Sequence, residues 1–354
     1  TFIRVITLLL FTCCQVEMPN LWGPQPPQSA SILGFMSVLV TGGAGYIGSH
    51  VARILSQAGT PVVVVDDLSQ GLDSRVSGLP SVNLELSGAH AVPALEQLLI
   101  EHKITAVVHL AALKQVGESV KNPEEYFSKN LGGQANLLTA MKNTGVKKFV
   151  FSSSAASYGE PNVELVSENQ TPEPINPYGQ TKLIGEWMAQ NAQKAWGLSQ
   201  VSLRYFNVAG AGWPDLADTQ KLNLIPIVFA ALKDGVKPKV FGTDYPTPDG
   251  SCVRDYVHVM DLAKAHVAAL DYLNQDQREF SVFNVGTGSG SSVLEVMDQI
   301  KKTTGVDFEC EILPRRAGDP PRLVADVSRI NKVMNWKSEN TLVEIIESAW
   351  QALN

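Results

Sequence analysis

Thr41-Gly42-Gly43-Ala44-Gly45-Tyr46-Ile47-Gly48 lies between the apolar triplet Val38-Leu39-Val40 and a helical stretch that the pattern carries from about Tyr46 to Ala58. A glycine-rich turn that ends a strand and opens a helix points free helix N–H groups at one place, and a pyrophosphate fits that place well. Gly42 permits the tight turn, Gly45 lets the backbone approach phosphate oxygens, and Gly48 lets helix pack on strand. A glycine string alone also fits an ordinary turn. Its position between strand and helix decides for a dinucleotide-binding loop.

Outward from this loop, Pro61 to Val65 is a wholly apolar run ending in Asp66, as expected of a central parallel strand covered on both faces. Further strands fit Ala106 to Leu110, Lys148 to Ser152 and Gln200 to Arg204, separated by helical stretches at Pro93 to His102, Glu124 to Asn143 and Tyr178 to Trp196. This alternation predicts an α/β fold, a doubly wound parallel sheet of Rossmann type over residues 36–206. Loops rich in Pro, Gly and Asp then break the rhythm at Gly210 to Asp218 and Asp244 to Gly250. Residues 207–354 are expected to form mainly a smaller C-terminal α/β substrate-binding lobe, with helices at Asp261 to Leu273, Ser292 to Thr303 and Leu342 to Leu353. The segment near 282–288, with Phe283-Asn284-Val285, is expected to return to the main sheet. Residues 1–35 contain an apolar run from Phe2 to Phe11, then Cys13-Cys14 and a Pro-rich stretch. That run is too short to span a membrane, and the segment is read as an unstructured or artefactual leader outside the fold.

Apolar residues make up 44% and charged residues 18%, the balance of a folded globular protein rather than a disordered one. A formal net charge of −7 gives no basic field to gather nucleic acid. Cys252 and Cys310 form no CxxC or zinc spacing, so no metal is expected and a reducing, cytoplasmic setting is.

Asp66, at the end of the second strand, can accept hydrogen bonds from a ribose diol and would repel a 2′-phosphate. With Asp67 beside it and no arginine before Arg75, NAD is favoured over NADP. Asn176-Pro177-Tyr178 begins a helix, with Asn176 suited to the N-cap and Pro177 to the first turn. Tyr178 and Lys182, four apart, then share one helix face. A phenol is a poor base at neutral pH, but an adjacent ammonium and a positive nicotinamide both favour phenolate. Ser152-Ser153-Ser154 at a strand end could bring a hydroxyl to the same reacting oxygen.

The GxxGxxG spacing, the serines and the Tyr-x-x-x-Lys pair, in this order, resemble the short-chain dehydrogenase family, and the resemblance implies Ser154, Tyr178 and Lys182 as its triad. A finer resemblance, over nearly all of Met36 to Leu353, is to the UDP-glucose 4-epimerases of the extended branch. It rests on Ala112 to Ser119, Phe151 to Ser154, Leu203-Arg204-Tyr205-Phe206-Asn207, Val253 to Asp261 and Pro314-Arg315-Arg316-Ala317-Gly318-Asp319. The match implies NAD contacts at Gly42, Gly45, Tyr46, Ile47, Gly48, Asp66, Asp67 and Leu68. It implies others at Leu110, Ala111, Ala112, Leu113, Lys114, Asn130 and Phe206, besides the triad. It implies that Asn207, Asn223, Arg254, Tyr256, Arg316 and Asp319 hold a UDP-sugar, alongside Ser154 and Tyr178, and that the protein is a homodimer. Two arginine forks suit a diphosphate.

The implied reaction interconverts UDP-glucose and UDP-galactose by C4 oxidation, rotation of the 4-keto sugar and re-reduction. N-acetylhexosamine, uronate and pentose epimerases share this chemistry. A dehydratase would need an acid–base pair after the serine, where Ala155-Ala156 stand, and a non-catalytic NAD-binding protein would need neither Tyr178 nor Lys182. Two departures from the family pattern stand out. Ser87-Gly88 replaces the usual Gly-Asp pair near the adenine, and the loop from Gly210 to Asn223 looks shortened. Leu323 takes a position that borders the sugar pocket in the resembled enzymes, where tyrosine excludes 2-acetamido sugars; the alternative is a core leucine under Trp336.

Overall fold

A computed structural model describes residues 36–275, 278–279, 281–316 and 318–353. The leader expected at residues 1–35 lies outside the described residues. The first half of the chain alternates β1 (Val38–Thr41), α1 (Tyr46–Gln57), β2 (Val62–Asp66), β3 (Ser81–Asn83), α2 (Ala91–Glu101) and β4 (Ala106–His109). It continues through α3 (Val116–Lys121), α4 (Pro123–Tyr126), α5 (Gly132–Thr144), β5 (Lys148–Ser154), α6 (Pro177–Trp196) and β6 (Ser199–Tyr205).

The second half contributes β7 (Asn207–Ala209), α7 (Leu224–Lys233), β8 (Lys239–Phe241), β9 (Val253–His258), α8 (Val259–Tyr272) and β10 (Val282–Val285). It ends with β11 (Gly290–Ser292), α9 (Val293–Thr304), β12 (Glu311–Leu313), β13 (Arg322–Leu323), α10 (Ser328–Met334) and α11 (Leu342–Leu353).

Seven strands form the main sheet in the order β10-β6-β5-β4-β1-β2-β3, with every neighbouring pair parallel. Alternate strand residues face opposite sides, so the sheet has two cores. Val38, Val40, Val62, Val64 and Val108 pack with Val51 and Leu55 of α1 and with Leu262 and Leu270 of α8. Leu39, Val63, Val65, Val107, Phe149 and Phe151 pack on the other side with Leu95 of α2 and Leu137 and Met141 of α5. Burial of both faces is why these strands read as unbroken apolar runs.

The strand order reverses between β1 and β4, and the crevice above that switch point is where a doubly wound sheet places its ligand. The sheet's two edges are treated differently. At β10, the Asn284 N–H donates to Glu168 (2.8 Å), and Arg329 donates to the Val282 carbonyl (3.0 Å). At the other edge β3 is only three residues long and exposed.

The single helix expected over Glu124 to Asn143 is interrupted: a π-turn over Phe127–Leu131 joins α4 to α5. The extra residue turns Asn130 inward, where it brackets Leu113, accepting from its N–H (2.8 Å) and donating to its carbonyl (3.1 Å). The Asn130 amide also donates to Thr181 Oγ1 (3.0 Å), tying the loop after β4 to α6.

The second lobe carries a sheet of β11-β9-β13, with β7 also paired to β9, and a separate β12-β8 pair. Its core joins Ile225 and Phe229 of α7 to Met297 and Ile300 of α9 and Ile345 and Ile346 of α11. The first helix of the chain clasps this lobe. Tyr46 donates to the Gly210 carbonyl (2.6 Å), and Arg53 pairs with Asp215 (2.5 Å). His50 Nδ1 lies 2.7 Å from the Tyr46 carbonyl and Nε2 accepts from Gly212 N–H (3.0 Å), the tautomer of a neutral ring; burial pushes its pKa down to about 3. Among the described residues no helix is long and apolar enough to cross a membrane, and no cluster of three or more His, Cys, Asp or Glu residues could hold a metal.

Candidate active site

The glycine loop is shaped by what it excludes. Gly42 has φ +70°, and a Cβ there would stand 2.6 Å from the Ala111 N; a Cβ at Gly48 would stand 2.1 Å from the Gly42 carbonyl oxygen. Only glycine lets α1 sit this close to the loop and to the segment after β4. Gly45 is the N-cap of α1 and offers no side-chain cap, which leaves first-turn N–H groups to face the crevice.

That crevice is a cleft of about 440 Å³ running along the carboxyl ends of the central strands. Gly42, Gly45, Tyr46, Ile47 and Gly48 line it from one side, Leu110 to Lys114 from another, with Asp66, Asp67, Asn130 and Phe206 also on its wall. Asp66 is held rigidly: Oδ2 accepts from Ala44 N–H (3.0 Å) and Oδ1 from Leu68 N–H (2.9 Å). A Cβ on Gly71 would come within 2.7 Å of Oδ1, so glycine there keeps room beside the carboxylate. Leu68 does not line the cleft; with φ +58° it turns its half-buried side chain onto the core.

Past Asp66 the cleft ends at Leu84, Glu85, Leu86 and Ser87. Gly88 is not part of the wall. Glu85 accepts from the Ser87 hydroxyl (2.7 Å) and pairs with Lys129, which holds its carboxyl below the usual range. Sequence reasoning missed this carboxylate because it matched the family's Gly-Asp pair to Ser87-Gly88, two residues further along. The signal was present in Leu84-Glu85-Leu86, an acid between two apolar residues directly after a strand.

At the opposite end stand the three residues of the implied triad. Asn176 caps α6, accepting from Gly179 N–H (2.8 Å), and Pro177 fills the first helical position. Tyr178, Lys182 and Ser154 are all at most 9% exposed and all line the cleft. Lys182 Nζ lies 5.8 Å from the Tyr178 ring centre and donates to the Ser152 carbonyl (2.9 Å). Burial dominates the electrostatics. It raises the Tyr178 phenol, against a hydrogen bond with Ser154 that lowers it, and pushes Lys182 down to about 7. Of the two charges expected to favour phenolate, the ammonium is itself weakened by its own desolvation, which leaves more to the positive nicotinamide and to Ser154.

On the second lobe, β9 is flanked by β7 and β13, with Asn207 opposite Tyr256 and Leu323 opposite Arg254. Asn207, Asn223 and Leu323 line the cleft. Arg254 donates to the Pro320 carbonyl (2.8 Å) and pairs with Asp319 at 3.5 Å, so these two stand together beside Leu323. Asn223 donates to Asp218 (2.8 Å). Arg254, Tyr256, Arg316 and Asp319 do not line the cleft: Arg254 and Asp319 pair with each other, Tyr256 is buried in the second-lobe core, and Arg316 is exposed with its guanidinium 3.7 Å from the Phe241 ring centre. Leu323 packs beside Tyr158 and Phe206, not under Trp336, whose indole donates to the Asp261 carbonyl (3.0 Å) in the main core.

A model of the NAD dependent epimerase/dehydratase family matches residues 38–286. The chain belongs to that family. Among its members, the UDP-glucose 4-epimerase of Halalkalibacterium halodurans is 43% identical over 320 residues, 89% of this chain and 95% of the relative. A crystal structure of UDP-glucose 4-epimerase from Stenotrophomonas maltophila, with bound NAD and formylated UDP-arabinopyranose, is similar with a TM-score of 0.84. It is 41% identical and covers 90% of this chain and 97% of that one. The UDP-Glc/GlcNAc 4-epimerase of Campylobacter jejuni is 40% identical, with a TM-score of 0.78, over 90% of this chain and 98% of its own. NAD is thus the cofactor of this epimerase/dehydratase family member, and the glycine loop and Asp66 fit it.

The displaced pKa of Lys182 has a sign that can be measured. Its ordinary 10.5 falls to about 7, so folding bears the full cost of a buried ammonium below about pH 7 and sheds it as pH rises towards 10.5. Replacing it with methionine in nucleotide-stripped protein is expected to raise the melting temperature most near neutral pH, with the gain over wild type fading by about pH 10.5. A difference in melting temperature that stays constant with pH would show that Lys182 is not the buried titrating group.

Proposed function

We propose that this chain is a UDP-glucose 4-epimerase, an isomerase that interconverts UDP-glucose and UDP-galactose with NAD held in the cleft. One observation carries the reading: Ser154, Tyr178 and Lys182 meet at the end of a cleft whose middle is built for a dinucleotide, and Asn207, Asn223 and Leu323 of the second lobe share its wall. The identity of about two-fifths to UDP-glucose 4-epimerases over most of the chain supports it.

When bound, the cofactor supplies a reversible hydride acceptor for the sugar C4. Tyr178 takes the 4-OH proton and returns it on the way back, while Ser154 shares the same oxygen. Its phenol, raised by burial, needs the Ser154 hydrogen bond and nearby positive charge to ionise. Arg254 anchors the diphosphate, so that the 4-keto ring can turn over about that anchor. A dehydratase reading fails at Ala155 and Ala156, which bring no acid or base to the catalytic serine.

The adenine end of the cofactor is assigned to Glu85, whose carboxylate can accept from the exocyclic amine, with Leu84 and Leu86 beside the ring and Gly133 close to Leu86 (3.1 Å to a Cβ built there). A homodimer is the assembly this reading favours, and Val120 on α3 (62% exposed) and Trp187 on α6 (52% exposed), on neighbouring helices, are apolar residues it could cover. The free thiols of Cys252 and Cys310 suit a cytoplasmic location.

Three measurements test these assignments. Tyr178→Phe is expected to fold and bind NAD normally while turnover of UDP-galactose falls by at least about a hundredfold; near-normal turnover would remove the catalytic role. Glu85→Ala is expected to lower NAD affinity but leave that for the deaminated hypoxanthine analogue nearly unchanged, so equal losses for both ligands would reject the amine contact. Leu323 lacks the ring and hydroxyl of tyrosine, and the wild type is expected to epimerise UDP-N-acetylglucosamine besides UDP-glucose. Leu323→Tyr should lower kcat/KM for the acetamido sugar alone, and a parallel loss on both sugars would contradict the pocket assignment.

A further inference from the structure

Ser152 is fully buried at the end of β5, two residues before the triad serine, and is tied twice. Its carbonyl accepts from Lys182 Nζ (2.9 Å), the one hydrogen bond recorded for that ammonium among the described residues. Its hydroxyl shares a hydrogen bond with the Tyr205 hydroxyl, at the end of β6. In the sheet register Tyr205 stands opposite Ser154 and Leu203 opposite Ser152, so the Tyr205 side chain reaches diagonally across two strands to close this bond. The Tyr205 ring leans on His266 of α8, 6.5 Å between centres, and that imidazole is fixed by the Leu262 carbonyl (2.9 Å). A continuous path therefore runs from α8 through Tyr205 and Ser152 to Lys182.

The other groups facing Lys182 are few. Tyr178 lies on its own helix, the Phe151 ring stands 5.3 Å away on β5, and His109 on β4 feels its charge. His109 is kept neutral by burial, with its pKa pushed down to about 3, and shares a hydrogen bond with Thr41 (2.7 Å). Among the described residues no carboxylate acts on this ammonium, and burial accounts for its depressed pKa. The aim of one carbonyl thus matters more here than in an ordinary ion pair.

We propose that Tyr205 is a positioning residue of the reaction, holding Ser152 so that its carbonyl stays aimed at Lys182 and the Ser154 strand end stays against Tyr178. The role rests on the catalytic reading of Tyr178 and Lys182 given above. Removing the Tyr205 hydroxyl should let the carbonyl drift, which disfavours the charged lysine and moves its titration to lower pH.

The test uses Tyr205→Phe, Ser152→Ala and the double variant, all as NAD-loaded enzyme. Each single change is expected to lower kcat on UDP-galactose about three- to tenfold with KM nearly unchanged, and to bring the alkaline fall of kcat to lower pH by about half a unit. The double variant should be no slower than the slower single one, because both changes break the same link. A direct readout is the ¹⁵Nζ resonance of Lys182, assigned by its loss in Lys182→Met. Its midpoint should fall in Tyr205→Phe by a similar amount. An unshifted lysine midpoint, a rise in KM alone, or penalties that multiply in the double variant would overturn the proposal. The lysine resonance also separates the two readings: an inactive wild type would reject the epimerase assignment, while the midpoint still decides the role of Tyr205.

Discussion

The rest of the molecule is arranged around a contact too close for any side chain. At Gly48 a methyl group would lie 2.1 Å from the Gly42 carbonyl oxygen, so the first turn of α1 is pressed directly against the loop it follows. This closeness sets the direction of α1, and α1 in turn sets the second lobe. Tyr46, His50 and Arg53, successive along one stretch of that helix, reach Gly210, Gly212 and Asp215. A methyl at Gly48 would thus disturb more than phosphate binding, because the distance between the dinucleotide loop and the sugar-side loop is carried by the same few turns of helix.

The catalytic end depends on a different economy. Ser153, next to the triad serine, donates to Glu186 (2.5 Å), and Glu186 forms a two-pronged pair with Arg204 (2.8 and 2.6 Å). All three are buried, one on β5, one on α6 and one on β6. A buried pair of this kind is weak evidence for net stability, since desolvation offsets most of the attraction, but losing one partner strands a charge in the interior. Its effect is to lock three elements in a single relative position. Those elements are the ones that present Ser154, Tyr178, Lys182 and Tyr205.

What could be read from the sequence followed physical periodicity. The central strands were legible because burial on both faces leaves no polar residue to break the run, and α6 because Asn176-Pro177 is a start signal in itself. The return of Phe283-Asn284-Val285 to the sheet is seen in β10 beside β6, although its middle residue is polar. The π-turn was not, since one extra residue inside a helix leaves the amphipathic pattern nearly unchanged. Glu85 was hidden because the expected Gly-Asp pattern was matched to Ser87-Gly88, and an acid two residues earlier does not fit that pattern. A motif names residues without saying what each side chain reaches: Arg254 pairs with Asp319, while Tyr256, two residues on along β9, is buried in the second-lobe core.

The two margins of the main sheet have a consequence for how the protein behaves when crowded with copies of itself. An open parallel sheet is a template on which another chain can add strands, and parallel sheets assemble slowly enough to expose that template during folding. Here one margin is sealed, since Asn284 and Val282 of β10 spend their outward backbone groups on Glu168 and Arg329. The other is cut to the three residues of β3, too short to offer a long ladder. Among the described residues the main sheet therefore offers no long free edge from which growth by strand addition could start.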